Sequence, residues 1–247
     1  MSSENHVTFD PKLPRHKPIL TKYLITLIVI TYILEVYYNA FYSDKMIIFL
    51  GAKWNEGITN GQVWRLITYS FLHGNLIHLV LNIAAINIFG KEVESIYGNL
   101  KFSLIYLLSV WGSGLTSYLF SPGLAIGASG GVFGILGSLI VYFYKQRDVI
   151  TGAKLRFKSM YTLAIINILL GLVIPRIDNF GHLGGLLTGL SFSWFISPEY
   201  EFKIDSTSEN LKVFKKNTNI KSVLLIVAYF IFLYLITFLC IQTTKDN

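Results

Sequence analysis

Most of this chain is written in long apolar runs. Seven stretches, at 20–40, 66–89, 102–120, 126–144, 158–174, 179–197 and 221–242, approach the roughly 20 residues that a helix needs to cross a hydrocarbon layer about 30 Å thick. In lipid a backbone has no water to bond, so such runs close their own hydrogen bonds as helices, and they are too continuous to be alternating strands. The expected fold is all-α, a polytopic membrane protein with six helices followed by a seventh. Of the 247 residues 14% are charged and 53% hydrophobic, which excludes an ordinary soluble domain.

Four segments are predicted: a cytosolic N-terminal segment at 1–19, a six-helix core at 20–197, a polar cytosolic linker at 198–220, and a seventh helix with a short outer tail at 221–247. The first residues have no apolar run beside their basic residues and no small-residue cleavage site, so the first helix is expected to be retained. Lys12, Arg15, Lys17 and Lys22 precede or open the first helix, and Lys91 and Lys101 follow the second. Lys145, Arg147, Lys154, Arg156 and Lys158 follow the fourth, and Lys203, Lys212, Lys215, Lys216 and Lys221 follow the sixth. The positive-inside rule puts these segments in the cytosol, with the N-terminus inside and the C-terminus outside. The net charge of +7 orients helices and meets anionic lipid rather than nucleic acid.

Helices two, four and six then run from outside to inside, and each carries a polar cluster near its outer end: HGNLIHLVLN (His73 to Asn82), GASGG (Gly127 to Gly131) and GHLGG (Gly181 to Gly185). Counted back from the cytosolic ends, Ser129 stands ~24 Å, His182 ~22 Å and His78 ~20 Å above the inner boundary. Polar side chains in hydrocarbon are costly and face an interior or a water-filled cavity, so one shared depth points to one site. A lone serine among glycines is ordinarily packing glue, but at the depth of a histidine it reads as a nucleophile, with His182 as the base.

Gly127 and Gly131, Gly130 and Gly134, and Gly181, Gly185 and Gly189 recur at spacing four, a small-residue stripe that lets helix backbones approach. His78 and Asn82, four apart on one helix face, can donate to an oxyanion, as can the first-turn amide of Ser129; the plainer alternative is a structural interhelical bond. His73 lies off that face and reads as structural or loop-tethering. Asp178, near the aqueous end, reads as a helix-start residue with Asn179 rather than a third catalytic group. Glu35 is expected to snorkel or pair locally near the outer interface.

No metal or other cofactor is expected: there is no His-Glu-x-x-His, no pair of aspartates within the helices, and the single cysteine, Cys240, is remote from the histidines. A transporter or channel would need polar residues continuing toward the cytosol. Beyond Gly137 and Thr188, however, helices four and six hold only scattered hydroxyls.

Taken in order, Trp64-Arg65, the His78-x-x-x-Asn82 pair, GKEVESIYG at Gly90 to Gly98, GASG around Ser129 and IDNFGHLGG around His182 resemble the rhomboid intramembrane serine proteases across most of the six-helix core. The resemblance implies a Ser129–His182 dyad without a catalytic aspartate and an oxyanion hole from His78, Asn82 and the Ser129 amide. It also implies that the partners are the lipid bilayer and transmembrane protein substrates, cut near their outer ends, and that a bacterial source would place the enzyme in the plasma membrane. Trp64, Arg65 and Glu94 are expected to be structural, and the seventh helix is similar to that of the six-plus-one, secretase-type members. Where the family frequently has a tyrosine stacked on the catalytic histidine, this chain has Phe133, which keeps the ring and loses the hydroxyl. A catalytically silent relative that only binds membrane clients is the alternative, against which the retained Ser129 and His182 argue.

Overall fold

The computed structural model describes residues 15–41, 46–198, 200–204, 211–215 and 221–245; Lys12 and Lys216 lie outside them. Seven long helices stand among these residues: α1 (Leu20–Phe41), α2 (Leu76–Tyr97), α3 (Asn99–Phe120), α4 (Ser129–Lys145), α5 (Ala153–Val173), α6 (Asn179–Ile196) and α7 (Lys221–Lys245). The protein is an all-α, polytopic integral membrane protein, and its helices largely follow the apolar runs.

The largest departure is α2. The run at 66–89 is not one helix, because Leu72 is extended and Asn75 caps a new start, its side chain accepting from the amide of His78. The helix then winds as a π-helix over Ile86–Gly90 and continues to Tyr97. Gly98, at φ 83, turns the chain directly into α3, a left-handed conformation that favours glycine. In the linker, two short strands, β1 (Tyr200–Ile204) and β2 (Leu211–Lys215), pair antiparallel. Their alternating YEFKI and LKVFK patterns explain this hairpin, which the reading of 198–220 as a linker did not include.

Five of the helices are long and apolar enough to cross a membrane by themselves, and they exclude α4 and α6. The exceptions have a physical reason: α4 has 17 residues, and α6 spends part of its 18 on Asn179, His182 and glycines. Both are sheltered by protein. Residues of α4 from Gly130 to Phe143 are almost all buried, whereas α1, α5 and α7 bury only 17%, 11% and 17% of their most apolar windows and present leucine, isoleucine and phenylalanine outward.

Helices α3, α4 and α6 meet backbone to backbone. A Cβ on Gly185 would overlap the carbonyl oxygen of Gly130, and one on Gly189 that of Gly134. Gly184 similarly faces the Gly112 carbonyl of α3. Gly131 instead accommodates Tyr106 of α3, Gly181 sits under Asp178, and Gly127 precedes the helix. Gly130 and Gly134 thus offer their backbone to Gly185 and Gly189 of α6, while their own Cβ positions face Ser113 and Ser109 of α3, and Gly127–Gly131 forms no such pair.

Glu94 anchors α1 to α2. It is fully buried and accepts from the amides of Ile19, Leu20 and Thr21 and from the Thr21 hydroxyl, at 2.6 to 2.8 Å. It therefore caps the start of α1 from another helix, satisfying donors that have no intrahelical acceptor. At the far end of α6, Lys101 Nζ donates to Ile196 O and Lys145 Nζ to Trp194 O, cations where the helix dipole favours them.

Gly185→Val should destabilise the fold by about 3 kcal/mol or more, since backbone blocks the new side chain. Gly123→Ala, with open space around it, should leave the melting temperature in detergent unchanged. Glu94→Ala should cost about 2 kcal/mol or more by stranding the α1 amides, which the same melting assay will read.

Candidate active site

The N-terminal turns of α2, α4 and α6 converge at one end of the helix body. Ser129 is the first residue of α4, His182 lies in the first turn of α6, and the Ser129 Oγ is 2.9 Å from His182 Nε2. This contact depends on Gly185, three residues after His182, lying against the carbonyl of Gly130, because a side chain at 185 would push the two helices apart.

Phe133, one turn below Ser129, stacks on the His182 imidazole at 4.4 Å between centroids and 21° between planes. The other imidazole nitrogen, Nδ1, has no hydrogen-bond partner. Asp178 does not supply one. Its Oδ1 accepts from the Gly181 amide at 3.0 Å as the cap of α6 and from the Ser121 hydroxyl at 2.8 Å. The ring is therefore oriented by stacking, with the carboxylate engaged elsewhere.

The first intrahelical bond of α4 runs from Val132 N to Ala128 O at 3.0 Å. The amides of Ser129, Gly130 and Gly131 precede it and belong to the orphan donors of a helix start, where the dipole favours an anion. The loop entering α4 is held from several sides: Lys53 and Ala125 exchange backbone bonds, Lys53 Nζ donates to Ser121 O at 2.5 Å and Gly123 O at 2.9 Å, and Gly127 N donates to Tyr69 O at 3.0 Å. Burial lowers the Lys53 ammonium to about 8, with Asp178 pulling the other way. Sequence reasoning passed over Lys53; a lone lysine in the apolar FLGAKW stretch was the available signal.

His78 lies in the first turn of α2 with its ring against Gly127, where a Cβ would come 2.5 Å from Cε1. At φ 119 Gly127 also has a backbone that other residues rarely adopt. Asn82 is buried, and its Nδ2 donates back to His78 O at 3.0 Å. His73 is buried beside them, its ring 5.0 Å from that of His78 and its Nε2 accepting from Ala128 N at 3.5 Å. Glu35 does not snorkel: it is 1% exposed and accepts from His73 N at 2.9 Å.

Arg65 is buried and donates to Gln62 Oε1, Ile48 O and Ala52 O, while Trp64 beside it remains exposed. Arg65 thus joins parts of the long loop between α1 and α2. No group of three or more histidine, cysteine or carboxylate side chains that could hold a metal ion occurs among the described residues.

Fold and site together define a polytopic helical membrane protein that pairs a serine with a histidine between two glycine-seamed helices. The family model described as the Rhomboid domain matches residues 60–199, and the chain belongs to the rhomboid family. It is similar to RHOMBOID-like protein 6, mitochondrial, of Arabidopsis thaliana, 36% identical over 61% of this chain and 50% of that one. It is likewise similar to Rhomboid protease GluP of Bacillus subtilis, 36% identical over 70% and 34% respectively, and to Rhomboid-like protease 3 of Toxoplasma gondii, 33% identical over 64% and 61%. The chain thus spans about a third to three fifths of the length of these relatives.

Asp178→Asn should leave the melting temperature within a degree or two of wild type, because asparagine caps as well as aspartate. Asp178→Ala should lower stability by about 1 kcal/mol, read by thermal unfolding in detergent.

Proposed function

We propose that the chain is an intramembrane serine endopeptidase that cleaves transmembrane segments of other membrane proteins through a Ser129–His182 dyad. The observation that carries this reading is the 2.9 Å contact between Ser129 Oγ and His182 Nε2. Neutral His182, with its proton on Nδ1, takes the hydroxyl proton as Ser129 Oγ attacks the scissile carbonyl carbon. The tetrahedral oxyanion is held by the Ser129 amide, with His78 and the second N–H of Asn82 closing the hole. His182 then gives its proton to the departing amine as the C–N bond breaks, leaving an acyl-Ser129. Water, deprotonated by His182, attacks this ester, and the proton returns to Ser129 Oγ as the acid product leaves.

Without a carboxylate behind His182, ring stacking on Phe133 supplies orientation but no charge for the imidazolium. A substrate helix keeps its carbonyls bonded internally, so it has to unwind locally before attack, and glycine or proline near the cut assists that step. In the orientation set by the basic loops, with the N-terminus cytosolic and the C-terminus outside, the site opens toward the outer side of the bilayer. The plasma membrane is the proposed location for a bacterial source.

Ser129→Ala should abolish cleavage of a reporter transmembrane substrate in proteoliposomes, and labelling by a serine-directed phosphonate should be lost with it. Full activity in this variant would overturn the assignment. Asn82→Ala should lower kcat about a hundredfold if its amide serves the oxyanion, whereas a purely structural Asn82 would show its loss in melting temperature with a much smaller change in kcat.

A further inference from the structure

Two carboxylates are buried in the membrane helices, and they are used differently. Glu94 takes four donors as a helix cap. Glu35 is 1% exposed and accepts from the His73 amide at Oε2, while Oε1 has no partner. A carboxyl group at membrane depth is costly, and a merely space-filling position would be met more cheaply by an apolar side chain. What distinguishes Glu35 is what it holds.

We propose that Glu35 is a positioning residue for the oxyanion side of the active site, acting through His73; this inference rests on the hydrolase reading above. His73 touches both parts of the proposed hole. Its Nε2 accepts from Ala128 N, so Nε2 carries the lone pair and the proton of the neutral ring lies on Nδ1. Its ring packs 5.0 Å from that of His78.

Two consecutive amides leading to Ser129 are thereby fixed, Gly127 N on Tyr69 O and Ala128 N on His73 Nε2. The Ser129 amide that follows them is the one assigned to the oxyanion in the proposed mechanism. His73 itself sits between the 3-10 turn that ends at Phe71 and the cap at Asn75, outside both helices. Its backbone is held by the Glu35 carboxyl group of α1, 2.9 Å from its amide nitrogen. Glu35 thus links α1 to the α4 loop through His73, in the segment that leads into α2.

Four variants of the full chain test this: Glu35→Ala, Glu35→Gln, His73→Ala, and Glu35→Ala combined with His73→Ala. In proteoliposomes with a reporter transmembrane substrate, Glu35→Ala should lower kcat at least about tenfold with KM within twofold, the split expected of lost transition-state interactions. Glu35→Gln, which keeps an acceptor for His73 N–H, should recover activity to within about threefold of wild type, and the double variant should be no slower than His73→Ala alone. Hydrogen exchange should quicken in Glu35→Ala at 127–131 with exchange in α3 and α7 unchanged. Wild-type kcat together with unchanged exchange at 127–131 would overturn the proposal, as would a global rise in exchange that Glu35→Gln does not rescue. If the wild type neither cleaves nor labels with phosphonate, the hydrolase reading fails, and the exchange at 127–131 still decides whether Glu35 positions the loop.

Discussion

The close approach of α4 and α6 is the constraint from which the rest follows. Lipid offers no hydrophobic drive to press helices together, so their association depends on packing and on backbones near enough to touch. Gly130 under Gly185 and Gly134 under Gly189 provide that approach. One turn above this seam, Ser129 and His182 are neighbours because nothing between the backbones holds them apart. The same seam explains why α4 is so thoroughly buried: α3 closes its other side, with Tyr106 filling the space at Gly131 and Ser109 that at Gly134.

Around this seam the polar groups divide into those that fix the scaffold and those left for chemistry. Glu94, Arg65, Lys53 and Asp178 all have backbone partners, and each ties a loop or a helix start to a neighbouring element. His182 stands apart in using one nitrogen on Ser129 and stacking its face on Phe133. A serine–histidine pair oriented by an aromatic ring requires no buried third charge, which suits a low-dielectric surrounding where an unpaired carboxylate is expensive.

Much of this was readable from the sequence because membrane helices convert residue number into depth. Ser129, His182 and His78 share a layer by counting alone, and the structure brings Ser129 to His182 and lays His78 against Gly127, two residues before the serine. The start of α2 was not readable in the same way. An apolar run through 66–89 hides the break at Leu72 to Asn75, which arises from turn and cap bonding rather than hydropathy. Glycine spacing likewise identified stripes without saying which neighbour each glycine faces, so Gly127 and Gly131 were paired although one lies in a loop. Glu35 was misplaced toward solvent because its acceptor role depends on a backbone amide 38 residues away.

The shortness of α4 connects the seam to the chemistry. Its 17 residues extend about 25 Å at 1.5 Å per residue, less than the hydrocarbon thickness of about 30 Å. The helix is thus shorter than the layer it would cross, and Ser129 lies at its start. A full-length α4 would bond the Ser129 amide within its own helix and remove it as a donor. Beginning the helix at Ser129 leaves that amide outside the intrahelical ladder at the positive end of the dipole, and hands the work of holding the preceding loop to Tyr69, His73 and Lys53. In the proposed mechanism the tethers of that loop complement the Ser129–His182 pair: the seam brings the serine to the histidine, and the tethers hold the loop that precedes the Ser129 amide.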